Sequence, residues 1–258
     1  CIRDRSSLFG FDAGTATGAS TAALDLPKAR EWPLIQLLNG ERETLGHYLS
    51  GHPTDAHREV IEQLVTVPIG RLEEIHRPAA NPGERRRNEQ LVAVGGLIAQ
   101  QRRRGEQMAF VQLEDASGRI EVSFFREVLS EFAPLLTKDR ILIVEGGLSL
   151  DEFSGNLVIR ARRAWGLDEA CERFARQVRV KLNGISADFA RQLSAQIKPF
   201  TPGPAGLRLC YRNAEAQTEL ELGDAWRVRA STALVDALRL LPGVKMVELQ
   251  LGKASGGA

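Results

Sequence analysis

Clustered arginines set among phenylalanines are the residues of this chain best suited to chemistry, and that chemistry is the grip of a polyanion carrying flat bases. Arg102, Arg103 and Arg104 run together just before Gly105, with Arg85, Arg86 and Arg87 upstream and Arg160, Arg162 and Arg163 downstream. Guanidinium groups gathered in this way can track phosphates and release their condensed counterions. Phe110, Phe124, Phe125 and Phe153 fall in the same stretch. A base stacked on an exposed ring contributes about 1 to 3 kcal/mol. Phe124 and Phe125 are adjacent, so on a strand they point to opposite faces and at most one of them is exposed. Solvated turns and core rings use the same residue types. From residue 91 to residue 168, ten Arg and Lys stand against eleven Asp and Glu, so any attraction for phosphate comes from clustering and not from net charge.

Other chemistries have weaker support. His47, His52, His57 and His76 share one region, but no spacing among them matches a zinc template and no cysteine is near. No metal or cofactor is expected. The carboxylate pairs Glu41/Glu43, Glu73/Glu74 and Asp151/Glu152 are adjacent or nearly so, which suits solvation better than acid–base catalysis. No phosphate loop or nucleophile elbow is present, so no catalytic residue is assigned. Cys1, Cys171 and Cys210 are widely spaced and odd in number, the usage of a reduced, cytoplasmic protein. No apolar run approaches the roughly 20 residues that span a bilayer, no secretory leader pattern is read at the start, and the formal net charge of +1 draws the chain neither to membranes nor to nucleic acid as a whole. The chain opens on Cys1 and not on Met, and is expected to be a piece of a longer polypeptide.

The elements that must position these residues define a multidomain α+β chain. Residues 1–76 hold a short helical segment. Within it, residues 11–30 form a flexible tether, almost wholly Gly, Ala, Thr and Ser from Asp12 to Thr21. Helical periodicity follows from Trp32 to Leu64, with a break at Gly51-His52-Pro53 and a short helix near Gly70 to Ile75. Residues 77–90 carry two prolines and no periodicity, and read as a linker. Five strands follow in residues 91–168: 91–100, 108–114, 119–125, 140–150 and 157–165. A helix over 126–136 is inserted after the third strand, which is the layout of a five-stranded Greek-key β-barrel. Arg102 to Arg104 are then expected in the first turn, and the glycine pairs Gly95-Gly96 and Gly146-Gly147 are expected to bulge the barrel wall. Residues 169–251 predict a connecting helix and a small α+β sandwich with strands at 178–182, 207–211, 216–222 and 244–251. Residues 252–258 read as a disordered tail.

Leu8-Phe9 is an apolar pair at the edge of the tether. It either docks in a partner's groove or caps the chain's own preceding domain.

Three stretches resemble a known family. Asn39 to Pro53 (Asn-Gly-Glu-Arg-Glu-Thr-Leu-Gly-His-Tyr-Leu-Ser-Gly-His-Pro) is similar to a signature near the end of the clamp-binding domain of the bacterial DNA polymerase III alpha subunit. Met108 to Val122, and Asp139 to Val144 with Phe153-Ser154-Gly155, look like that family's OB-fold. The resemblance implies that residues 1–76 are the end of the clamp-binding domain, with Leu8 and Phe9 as the apolar half of an internal sliding-clamp (beta subunit) motif. Arg5 stands where that motif usually has Gln. It also implies an OB-fold that holds single-stranded template DNA through Arg102, Arg103, Arg104 and Phe110, and an α+β unit that docks the clamp loader's tau subunit. The parent would be a DNA-directed DNA polymerase, a nucleotidyltransferase of DNA replication whose catalytic aspartates lie upstream. Two other readings stay open: the anticodon-binding barrel of an aminoacyl-tRNA synthetase, which predicts a class-II catalytic domain after the barrel, and a structural spacer that binds no nucleic acid.

Overall fold

The computed structural model describes residues 32, 34–77, 90–151, 154–184, 186–212 and 217–254. The Leu8-Phe9 pair, Arg85 to Arg87 and Phe153 lie outside the described residues.

Helix α1 (Leu34–Leu45) stops at Gly46, whose φ of +80° suits a residue without a side chain and whose amide donates to the Arg42 carbonyl at 3.0 Å. The chain then folds back on the helix. Glu41 accepts from the Ser50 hydroxyl and from the amides of Ser50 and Leu49, and these bonds hold its carboxyl below the usual carboxylate range. Arg42 donates to the Tyr48 hydroxyl at 2.9 Å and pairs with Asp139 of the barrel. His52 Nδ1 accepts from the Thr54 amide at 3.2 Å while Asp55 accepts from the His52 amide at 2.7 Å, a reciprocal box that starts the 3-10 turn Pro53–His57. The Asn39 to Pro53 stretch is therefore a turn-and-cap device that delivers the chain to α2 (Arg58–Leu64).

A 3-10 turn (Ile69–Arg71) and α3 (Leu72–Ile75) lead to the barrel. Its strands are β1 (Gln90–Arg104), β2 (Met108–Glu114), β3 (Arg119–Phe125), β4 (Ile141–Leu150) and β5 (Leu157–Gly166), closed in the order β1-β2-β3-β5-β4. Every pairing is antiparallel except that of β3 with β5. Alternate residues fill the interior, among them Val92, Val94, Val111, Leu113, Val122, Phe124 and Val144. Helix α4 (Arg126–Phe132), inserted between β3 and β4 as expected, contributes Leu129 to the same core, and Leu136 follows it. Ile69 and Leu72 also join this core.

The C-terminal unit comprises α5 (Leu167–Phe174), β6 (Ala175–Leu182), α6 (Phe189–Ile197), β7 (Gly206–Arg212), β8 (Gln217–Glu221), α7 (Thr232–Arg239) and β9 (Val244–Leu251). The sheet runs β8-β7-β6-β9, with β6 and β7 parallel and the other pairs antiparallel. Phe189, Leu193, Leu234 and Leu238 from the two helices pack on Val178, Val180, Leu207 and Val247.

Three expectations need correction. Arg102 to Arg104 are not in the first turn: they are the last three residues of β1, paired with Phe110, Ala109 and Met108, and the turn begins at Gly105. The β1 bulge lies between Ile98 and Gln100 and not at Gly95-Gly96. A Cβ at Gly95 would stand 2.9 Å from Ile61 Cγ2 and 2.7 Å from Ile143 Cδ1, so this glycine lets α2 lie close on the barrel wall. The tail is anchored as far as Ala254, which is buried and donates its amide to the Leu64 carbonyl at 2.9 Å. A short apolar residue with a satisfied amide is enough to hold that end of the chain on α2.

Candidate nucleic-acid interface

Strand register decides which of the candidate residues meet. β1 pairs with β4 only as far as Leu97, and beyond the bulge it pairs with β2 alone. The arginines therefore ride on the part of β1 that pairs with β2 alone, and β2 pairs there with β3. Directly paired residues share a face. One outward row runs Arg102, Phe110, Ser123, Arg160 across four strands. The next row runs Arg104, Met108, Phe125. Arg103 belongs to the alternate row, with the buried Ala109 and Phe124, and so faces away from its two neighbours. The structure brings Arg102, Arg104 and Phe110 together and leaves Arg103 on the other side.

The surface is polar but not idle. Arg102 Nη2 stands 2.8 Å from Glu121 Oε2, with 73% of the arginine side chain exposed. An exposed pair of this kind is worth about 0 to 1 kcal/mol, too little to stop a phosphate from replacing the carboxylate. Phe124 is fully buried and Phe125 turns outward, where the Arg160 guanidinium stands 5.1 Å over its ring. Nothing in the sequence pairs Arg160 with Phe125. Adjacent phenylalanines show that only one faces out, but the parallel contact between β3 and β5 that carries Arg160 to it leaves no local pattern.

The opposite turn, Asp115 to Gly118, is engaged by the helical segment. Asp115 Oδ2 accepts from the Ile69 amide at 3.0 Å and Ser117 Oγ from the Gly70 amide at 2.8 Å. Glu114 beside it is buried, with Arg119 Nε at 2.9 Å and His52 Nε2 at 3.8 Å. The two rows lie on a different stretch of wall, presented by β1, β2, β3 and β5.

The outer face of the C-terminal sheet is charged in a different way. Arg179 and Arg208 both meet Glu219, Arg208 also meets Glu221, and Lys181 meets Glu248, at 2.6 to 3.1 Å. These cations are answered by carboxylates elsewhere on the same sheet. Burial, helped by the charge of Asp168, pushes the Cys171 thiol up to about 12, so it stays protonated at neutral pH and is no nucleophile. Among the described residues no group of His, Cys, Asp and Glu is arranged to hold a metal, and no helix is long and apolar enough to cross a membrane.

Residues 92–164 match the family of OB-fold nucleic acid binding domains, and residues 192–243 match the family described as DNA polymerase III subunit alpha, C-terminal domain. A DNA polymerase III subunit alpha from Xylella fastidiosa (strain Temecula1) is 37% identical over 255 residues, covering 95% of this chain and 21% of that protein. Its counterpart from Escherichia coli (strain K12) is 38% identical over 225 residues, covering 85% of this chain and 18% of that protein. Among solved structures, the second single-stranded DNA binding protein of Mycobacterium smegmatis aligns with 30% of this chain and 88% of its own, at 20% identity and a TM-score of 0.27. The chain spans about a fifth of the length of the curated relatives it matches.

Proposed function

The chain belongs to the DNA polymerase III subunit alpha family, in its C-terminal region, and we propose that it grips single-stranded template DNA on the outer face of its OB-fold barrel during chromosomal replication. One observation carries this reading: the row Arg102, Phe110, Ser123, Arg160 sets an outward-facing ring between two exposed cations, the first of them in an exposed pair with Glu121. A base stacks on the ring while the flanking guanidiniums take phosphates, and neither contact depends on base identity. Arg104 in the next row extends the charged track.

The family likeness supports two further contacts as part of the same proposal. Leu8 and Phe9 insert into the sliding clamp, where burying two such side chains supplies about 3 to 6 kcal/mol before ordering costs. The α+β unit of residues 169–251 takes the clamp loader's tau subunit. The work is cytoplasmic and needs no cofactor, and nucleotidyl transfer is assigned to no residue of this chain. The synthetase alternative requires a class-II catalytic domain after the barrel. A four-stranded sandwich stands there, and residues 192–243 within that region match the polymerase family.

Fluorescence anisotropy of a labelled oligo-dT against salt concentration tests the grip. Each phosphate contact on a single strand contributes about 0.7 to the slope of log K against log salt, so R102Q/R104Q lowers the slope by roughly 1.4. Unchanged affinity and slope would refute the assignment of this face. For the clamp, L8A/F9A abolishes co-elution with the clamp protein; a complex that persists shows the motif to be misassigned.

A further inference from the structure

We propose that Phe125 is a second base-stacking platform, which takes the nucleotide next to the one on Phe110 and has Arg160 as its gate. The inference rests on the single-strand reading above and deepens it.

Phe110 pairs with Ser123, and Phe125 lies two residues along the same strand. The two outward rings are therefore diagonal neighbours on an antiparallel pair, where such residues stand about 7 to 8 Å apart with their Cβ atoms somewhat closer. Stacked bases in a duplex advance by only about 3.4 Å per nucleotide. Two bases can occupy the two rings only if the strand is stretched and its bases are unstacked from each other. That geometry selects single strands over duplex.

The ground around Phe125 is shaped to admit a base. A groove of about 410 Å³ lies against the ring, lined by Gln107, Met108, Arg126 and Arg160 among others. Arg160 lies over the ring by a cation–π contact at 5.1 Å. An incoming base meets both groups: it stacks on Phe125 as the guanidinium swings aside to its other face or to the following phosphate, so the contact that is lost is replaced on both sides. Arg126, next in sequence, holds a φ of +31°, an unusual conformation for a residue with a side chain, while its amide donates to the Gln107 carbonyl at 2.7 Å. Backbone held in this way is found where the position of a neighbouring side chain matters. Here it fixes the end of β3, and with it the ring of Phe125, against the start of α4.

The experiment uses the 258-residue chain and fluorescein-labelled dT12. F125A weakens binding about tenfold at constant salt and leaves the salt slope unchanged, because a neutral ring releases no counterion. R160Q lowers the slope by about 0.7. F125W reports independently of affinity: its added emission is quenched by oligo-dT and not by duplex of the same length. Thermal melts check that each variant is folded. Parent affinity in F125A, or F125W emission unmoved at saturating oligo-dT, overturns the proposal. If R102Q/R104Q lowers the slope while F125A does nothing, only the second platform fails. If the parent does not bind dT12 at all, the single-strand reading fails with it.

Discussion

Arg102 and Arg104 lie two apart on an extended strand and so share a face, which Arg103 between them does not. The three arginines are consecutive in sequence but unequal in space. R103Q therefore lowers the salt slope for oligo-dT less than R104Q does, and equal losses from the two would contradict the register. The alternation that separates Phe124 from Phe125 was legible in the sequence, as was the clustering of charge. The neighbourhood of Arg160 was not, because a parallel pairing between strands that are not consecutive leaves no trace in local spacing. His57 is a second case of a residue whose surroundings decide its behaviour. It is half-buried beside Asp168, Asp236 and Arg239, and burial pushes its pKa below the ordinary 6.5 despite the opposing pull of the two aspartates. The folded state then binds fewer protons at this position than the unfolded state does. Its contribution to stability is present above about pH 6.5 and is lost as pH falls through that value toward the lower folded pKa. The urea midpoint of the parent should fall between pH 7.5 and pH 5.5 by more than that of H57Q; equal falls would show that His57 titrates alike in both states.

Among the elements, the barrel was the most legible, because five alternating strands, two tight turns and an inserted helix leave few other ways to close a wall. The length of β1 was the main miss. A run of arginines reads as a solvated turn, but the cross-strand partners Met108, Ala109 and Phe110 keep it extended to Arg104. The irregularity expected at Gly146-Gly147 is present as a register shift against β5 between Glu145 and Gly146, but the close packing of β4 on β5 behind it was hidden. A Cβ at Gly146 would stand 2.3 Å from the Arg160 carbonyl, a contact that neither backbone can relieve without moving. G146A should destabilise the barrel by about 1 to 3 kcal/mol and displace Arg160, so that oligo-dT affinity falls with stability in denaturant titration and anisotropy. Unchanged stability would mean that the wall yields more readily than its geometry implies. The Asn39 to Pro53 stretch was recognisable as a motif but not as a device. Its Glu41, Arg42, His52 and Asp55 bonds show that it turns the chain between α1 and α2 and ties it to the barrel at Asp139.

Across the whole molecule, the sequence suggested separate units joined by linkers, but the packing is more continuous. Ile61, Leu64 and Val65 around α2 share one core with Ala93, Ile143 and Trp165 on the barrel wall and with the interior of the C-terminal sandwich. The Leu251 amide donates to Gln63 Oε1 at 2.9 Å and the Ala254 amide to the Leu64 carbonyl, so the end of the sandwich is held by the same helix. Leu64 is fully buried at this junction. L64A should cost about 2 to 5 kcal/mol and make the sandwich more susceptible to proteolysis than the barrel; a loss well below 1 kcal/mol would show that the units stand independently. The two charged surfaces differ in kind. Carboxylates across the sheet answer the named cations of the C-terminal unit, whereas on the barrel Arg102 meets Glu121 but Arg160 lies over the outward ring of Phe125. Photo-cross-linking of a bromodeoxyuridine-substituted single strand, with the adducts located by mass spectrometry, tests that difference most directly. Adducts confined to residues 102–110, 123–126 and 160 are predicted. Adducts centred on the outer face of β6 and β7, with none on the barrel, would contradict it.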